Sequence, residues 1–322
     1  MSCIAIWFSS RTRESSSTPS TAEAHFNLWR LRNRKSRKTQ HFLDIGLMIK
    51  DPRNIASLFI YLPFIISQNV VDLGRKLEKT NTLQAVFNEP WRSLVDPEVN
   101  TIDVVDFEKE KLFQIYRIRQ DDCKIELAYG GSILQLSFPD YLKTSTYFRF
   151  RIYADNFSPI TNEDKPTNSW LESAFYVTET IDLHVNEKRN LPEELLQTVH
   201  TEGEIGFTKI HLFLMRYNNF DNVFSYPIPI DSRSLESMAW SDYLGSEYLS
   251  ERIIAYHWKL KSEATASDGS VLQRVFKSYN VFTKFRYQKA NLITIIIFII
   301  ILIAISIAGG LIASFLFKFI GS

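Results

Sequence analysis

Two segments of this 322-residue chain place side chains that could do chemistry together. The first is Tyr147-Phe148-Arg149-Phe150-Arg151-Ile152-Tyr153. Its period-two pattern predicts a strand with Tyr147, Arg149, Arg151 and Tyr153 on an exposed face and Phe148, Phe150 and Ile152 turned inward. Guanidinium groups alternating with aromatic rings can grip phosphates while the rings stack on bases. The expectation is a nucleotide or oligonucleotide ligand; the alternative is an amphipathic strand whose arginines pair with acidic neighbours. The second segment runs from Glu179 to Pro192 and crowds polar residues, among them Asp182 and His184, where a strand leaves toward a helix. Such residues build caps and turns, or contact a nucleotide or a protein partner.

The rest of the chain narrows the chemistry. The histidines are His25, His41, His184, His200, His211 and His257, and none belongs to an HExxH pair. CxxC, GxSxG, P-loop and GxGxxG motifs are absent too. Each histidine reads as a surface or satisfied core residue. No metal site, cofactor or catalytic residue is expected, although a site assembled in space around His184 or Glu179 stays open. Two cysteines, Cys3 and Cys123, exclude a disulfide-built scaffold. Asp121-Asp122 beside Cys123 disfavours a reactive thiolate there.

The elements that must position these residues are mostly strands. Phe42–Ile49, Leu112–Arg119, Phe175–Asn186, Ile210–Met215 and Arg252–Leu260 read as strands, and Lys124–Phe138 reads as a hairpin turning at Gly130-Gly131. Ile55–Ile66 is an apolar run containing Pro63, which suits a buried strand ending at Leu62. Short helices are predicted near Leu191–Leu196 and within Val70–Phe87. The expected fold is mainly β, a sandwich or barrel-like domain over residues 41–268 with a few short helices.

The ends differ from this body. Residues 1–40 and 269–322 each carry a net charge of +6, leaving −11 on the middle of a chain whose total is +1. Residues 1–40 read as a disordered basic arm and 269–290 as a basic juxtamembrane segment lying along anionic headgroups. Asn291–Phe317 then runs 27 residues without a charge. As a helix it reaches about 40 Å, enough to span a bilayer core of about 30 Å. Basic residues precede it and only a short tail, 318–322, follows, so the positive-inside rule places the body in the cytoplasm. Ser306, Gly309, Gly310, Ala313 and Ser314 recur at four-residue spacing, which lets helices approach closely. The expected partners are the lipid bilayer, further copies of this chain, the nucleotide or oligonucleotide ligand and a soluble protein.

A β-rich cytosolic body on a terminal span bearing small residues resembles the membrane effectors of bacterial anti-phage defence systems. The resemblance implies a soluble sensor controlling a transmembrane module that oligomerises and permeabilises the inner membrane. It includes the channel subunit of the Hailong type, held closed by an oligonucleotide, for which the Tyr147–Tyr153 face would be the ligand site. The alternative is a tail-anchored, non-catalytic scaffold or adaptor.

Overall fold

The computed structural model describes residues 3–11, 21–33, 35–36, 38–155, 157–164, 175–245, 248, 252–261, 264–265, 271–272, 275–288 and 292–320. The chain opens with β1 (Cys3–Ser10), β2 (Thr21–Arg32), β3 (Thr39–Ile49), β4 (Ile55–Leu62) and the short β5 (Val71–Asp72). Helix α1 (Thr80–Phe87) leads to β6 (Arg92–Val95), β7 (Thr101–Val105), β8 (Lys111–Tyr116), β9 (Cys123–Ala128), β10 (Gly131–Ser137) and β11 (Thr146–Tyr153). Then come β12 (Thr161–Asp164), β13 (Tyr176–Val185), α2 (Glu193–Glu202), β14 (Gly206–Tyr217), β15 (Phe220–Tyr226), β16 (Asp231–Ser234) and α3 (Ser237–Leu244). The chain closes with β17 (Ile253–Lys261), the two-residue pair β18 (Ala264–Thr265) and β19 (Val271–Leu272), β20 (Tyr279–Gln288) and the long helix α4 (Leu292–Ile320).

The strands form two mixed sheets. The smaller runs β15-β20-β13-β1-β4-β10-β9, with β12 also on β13; the larger runs β16-β17-β14-β2-β3-β11-β8-β7-β6, with β5 beside β11. One hydrophobic core joins them, drawing Ile4, Ile60 and Ile181 from the smaller sheet and Phe26, Ile45 and Leu212 from the larger. The mainly β reading therefore holds, and the reason is visible strand by strand. In β13, Val177, Ile181, Leu183 and Val185 alternate with half-exposed polar residues. β4 is apolar on both faces because Leu58, Ile60 and Leu62 enter the core between the sheets while Phe59 and Tyr61 pack with Leu191, Leu195 and Val199, and its strand stops before Pro63. The hairpin turn falls at Tyr129 and Gly130, both at positive φ (53° and 74°). Gly131 is already paired with Ala128 in the ladder, so the turn lies one residue before the expected Gly130-Gly131 pair.

Two sequence expectations about the ends are corrected. The region read as a basic arm supplies β1, in the smaller sheet between β4 and β13, and β2, in the larger sheet between β14 and β3. Ile4, Ile6 and Trp7 in β1, and Ala22, Ala24, Phe26 and Leu28 in β2, are buried, and this apolar area outweighs the charge count. Arg30 is buried as well, and residues 12–20 lie outside the described residues. Within the expected juxtamembrane segment, Tyr279–Gln288 is a full strand, β20, paired along β13. Its Lys284 and Arg286 are half-exposed on the sheet.

The two sheets are also tied by charge. Glu179 of β13 accepts hydrogen bonds from Arg216 of β14 through Nε (2.8 Å) and Nη2 (3.1 Å). Arg30 of β2 lies 3.3 Å from Glu179, pairs with Glu163, and donates from Nη2 to the Tyr287 hydroxyl of β20 at 2.8 Å. Two arginines thus meet two glutamates, and the buried cluster balances. Burial alone would raise the Glu179 pKa, but Arg216 and Arg30 outweigh it and hold the carboxyl below its usual range.

Candidate functional site

The outer face of the larger sheet is roofed, and this decides the fate of the Tyr147–Tyr153 residues. Helix α1, its following loop and α3 lie over β2, β3, β11, β14 and β17, enclosing a cavity of about 330 Å³. Both faces of β11 are therefore covered. Tyr147, Arg149 and Arg151 are buried and Tyr153 is half-buried, contrary to the exposed face expected from alternation. Gly46 of β3 makes this packing feasible. A Cβ there would collide with the Tyr147 hydroxyl and press on Arg149 Nη1 at 3.1 Å. Without a side chain at 46, both β11 residues reach across β3 toward β2.

The two arginines then differ in kind. Arg151 donates to both Asp44 oxygens (2.6 and 3.0 Å) and lies 4.1 Å over the Phe42 ring. Asp44 also accepts from Trp29 Nε1 (2.8 Å) and the Tyr243 hydroxyl (2.7 Å), so this pair is saturated. Arg149 lines the cavity and has no carboxylate bonded to it. It donates from Nε to Tyr243 (2.7 Å) and from Nη1 to Tyr147 (2.9 Å), while Nη2 has no partner among the described residues. Burial works against its charge, but Tyr147, Tyr243 and Asp44 outweigh that and raise its pKa. The guanidinium stays cationic, with Nη2 unpartnered among the described residues.

Two further residues that line the cavity each have a buried polar atom without a partner among the described residues, Asn27 Oδ1 and Trp240 Nε1. Buried polar atoms are satisfied in the great majority of cases. Arg149 Nη2, Asn27 Oδ1 and Trp240 Nε1 are three such exceptions among the described residues, all on residues that line one cavity.

The floor of the cavity holds three histidines that no local spacing groups. Parallel pairing of β2 with β14 sets His25 beside His211, and antiparallel pairing of β14 with β17 sets Phe213 beside His257. His25 Nδ1 lies 3.0 Å from the Tyr147 hydroxyl, and His211 Nδ1 lies 2.9 Å from His257 Nε2. Phe213 and His257 stack with centroids 4.1 Å apart at 9°. Burial first, and neighbouring cationic groups second, push His25 well below its usual pKa, His211 to about 3 and His257 to about 4. All three are neutral at pH 7. Tyr147 accepts from Arg149, so its own hydrogen is free for His25 Nδ1, and the neutral His25 then carries its proton on Nε2.

The other candidates lie elsewhere. Asp182 and His184 sit on β13 in the smaller sheet, where His184 Nε2 is 2.9 Å from Asp182 and Nδ1 is 2.8 Å from Glu187. Cys3 is the register partner of His184, yet burial pushes its thiol up to about 11, so it is no nucleophile. No group of three or more His, Cys, Asp or Glu among the described residues is placed to hold a metal ion. Ser306, Gly309, Gly310, Ala313 and Ser314 are exposed on α4, and the four-residue spacing puts Ser306, Gly310 and Ser314 on one helix face. Of the six ligand candidates, Arg149 lines the cavity and Tyr147 supports it through hydrogen bonds; Arg151, Tyr153, Asp182 and His184 are not brought into it.

Compared with known proteins, the chain matches no family model and no curated protein.

Proposed function

We propose that this protein is a non-catalytic, membrane-anchored receptor whose β body binds a small anionic ligand and whose terminal helices assemble in the bilayer when ligand occupancy changes. The observation that carries it is the buried, cationic guanidinium of Arg149, a residue that lines the cavity and that, among the described residues, has no bonded carboxylate and leaves Nη2 unpartnered. A buried charge left uncompensated is costly, and an incoming anion removes that cost. The cavity lies at the low end of the range for ligand sites, roughly 300–1,000 Å³. That size favours a nucleotide-sized ligand over an oligonucleotide chain.

The membrane half of the reading rests on α4. Ile295–Phe317 has a mean hydropathy of 3.2 and none of it is buried against the body. Phe298 touches Phe175 edge-on at 5.2 Å. A lipid environment is what such a surface requires. Basic residues before the helix orient the body toward the cytoplasm. Small residues on one face of α4 supply a seam for self-association, and a pore built by several copies follows the layout shared with anti-phage membrane effectors. A scaffold or adaptor held by a plain anchor is the second reading, favoured by the lack of any polar face on α4 to line a channel.

Flotation with liposomes tests the anchoring, and the size of the detergent complex tests assembly. The full chain is expected to float and to run as a homo-oligomer, and the chain lacking 291–322 to sink as a monomer. A floating monomer would favour the adaptor reading.

A further inference from the structure

The cavity's charge and shape say more about its ligand than that it is anionic. Arg149 contributes a single net positive charge, because the neighbouring Arg151 is already matched by Asp44. The histidines around it are neutral and add none. At the outer rim three basic residues, Lys209, Lys259 and Arg233, share the wall with three acidic ones, Glu23, Asp231 and Glu89. Lys209 is already 3.1 Å from Glu23. The rim therefore carries no cationic excess for a second anionic group.

The walls between are flat. Phe213 and His257 lie nearly parallel, and the His211 ring is within 10° of both. The Arg149 guanidinium sits over β3, and these rings belong to β14 and β17, two and three strands away. At about 4.8 Å per strand this is a reach of roughly 10–14 Å. One or two fused rings bearing an acid group cover it.

We infer, building on the receptor reading, that the ligand is a small planar monoanion, an aromatic or heteroaromatic carboxylate. Its carboxylate pairs with Arg149, a lining residue whose Nη2 has no partner among the described residues, and its ring packs against Phe213 and His257. Among the described residues that line the cavity, Trp240 Nε1, a donor, and Asn27 Oδ1, an acceptor, also lack partners. A phosphate dianion would leave one negative charge unmatched, or would draw a proton onto a histidine.

The test is calorimetric titration of the full chain in lipid nanodiscs with four probes: naphthalene carboxylate, naphthalene carboxamide, adenosine monophosphate and inorganic phosphate. The carboxylate is expected to bind one-to-one, at least about tenfold tighter than the carboxamide, since hydrogen bonds to charged groups are worth roughly 1.5–3 kcal/mol. Its affinity is expected to be flat from pH 6.5 to 8, with no buffer-dependent heat. Arg149→Gln is expected to weaken it at least tenfold. Asn27→Asp, nearly isosteric, is expected to abolish it by adding a second anion and covers the case where the Arg149 variant fails to fold. Equal binding of carboxylate and carboxamide would overturn the inference. Binding of adenosine monophosphate or phosphate without the carboxylate would overturn the ligand class and leave the receptor reading standing. Binding of no anion at all would overturn both.

Discussion

A side chain at position 46 would fill the space through which Tyr147 and Arg149 cross β3. Gly46→Ala is expected to lower stability by about 1–3 kcal/mol, the usual cost of overpacking. The urea midpoint of the full chain in detergent measures it, and an unchanged midpoint would contradict the packing described for Arg149. The histidines give a pH dependence. His211 and His257 have folded pKa values near 3 and 4, against 6.5 as a free group. As pH falls below about 6.5, the unfolded chain takes up protons that the folded chain refuses, so stability drops with acidification until about pH 3–4. His25 and His41 are shifted the same way and add to it. Replacing His211 and His257 by Gln is expected to flatten the slope of melting temperature against pH between 4 and 6.5. An equally steep slope would show that the acid sensitivity comes from elsewhere.

Among the elements, β1 and β2 carry more than their composition suggests. β2 presents His25 and Asn27 to the cavity and, on its other face, Arg30 to Tyr287 of β20, the strand that leads toward α4. Removing residues 1–11 takes a strand from between β4 and β13. The truncated body is expected to lose cooperative unfolding and near-ultraviolet circular dichroism, whereas loss of a dispensable arm would leave both intact. Elements whose signal is local were legible from residues alone: the alternation of β13, the apolar run of β4, the hairpin β9–β10 and the charge-free run up to Phe317 that makes most of α4. Strand β2 was not, because two of its alternating inward positions are the small Ala22 and Ala24 and it runs from a Ser/Thr-rich stretch into the basic run Arg30–Lys38. The burial of Arg149 was not legible either, since its roof comes from α1 and α3, about 60 residues before it and 90 after. The grouping of His25 with His211 and His257 depends on strand pairing that no local spacing encodes.

At the scale of the whole molecule, β20 is the last strand of the folded β body before the apolar helix. If the helices assemble along their small residues, Gly310→Leu is expected to block close approach and leave a monomeric detergent complex with an intact body. Unchanged oligomer size would place the seam elsewhere. Current across a planar bilayer holding the purified full chain, compared with the chain lacking residues 291–322, tests the receptor-to-membrane claim most directly. Discrete openings that disappear on truncation are the expected result. A silent bilayer from a full-length chain that is monomeric in detergent would contradict it.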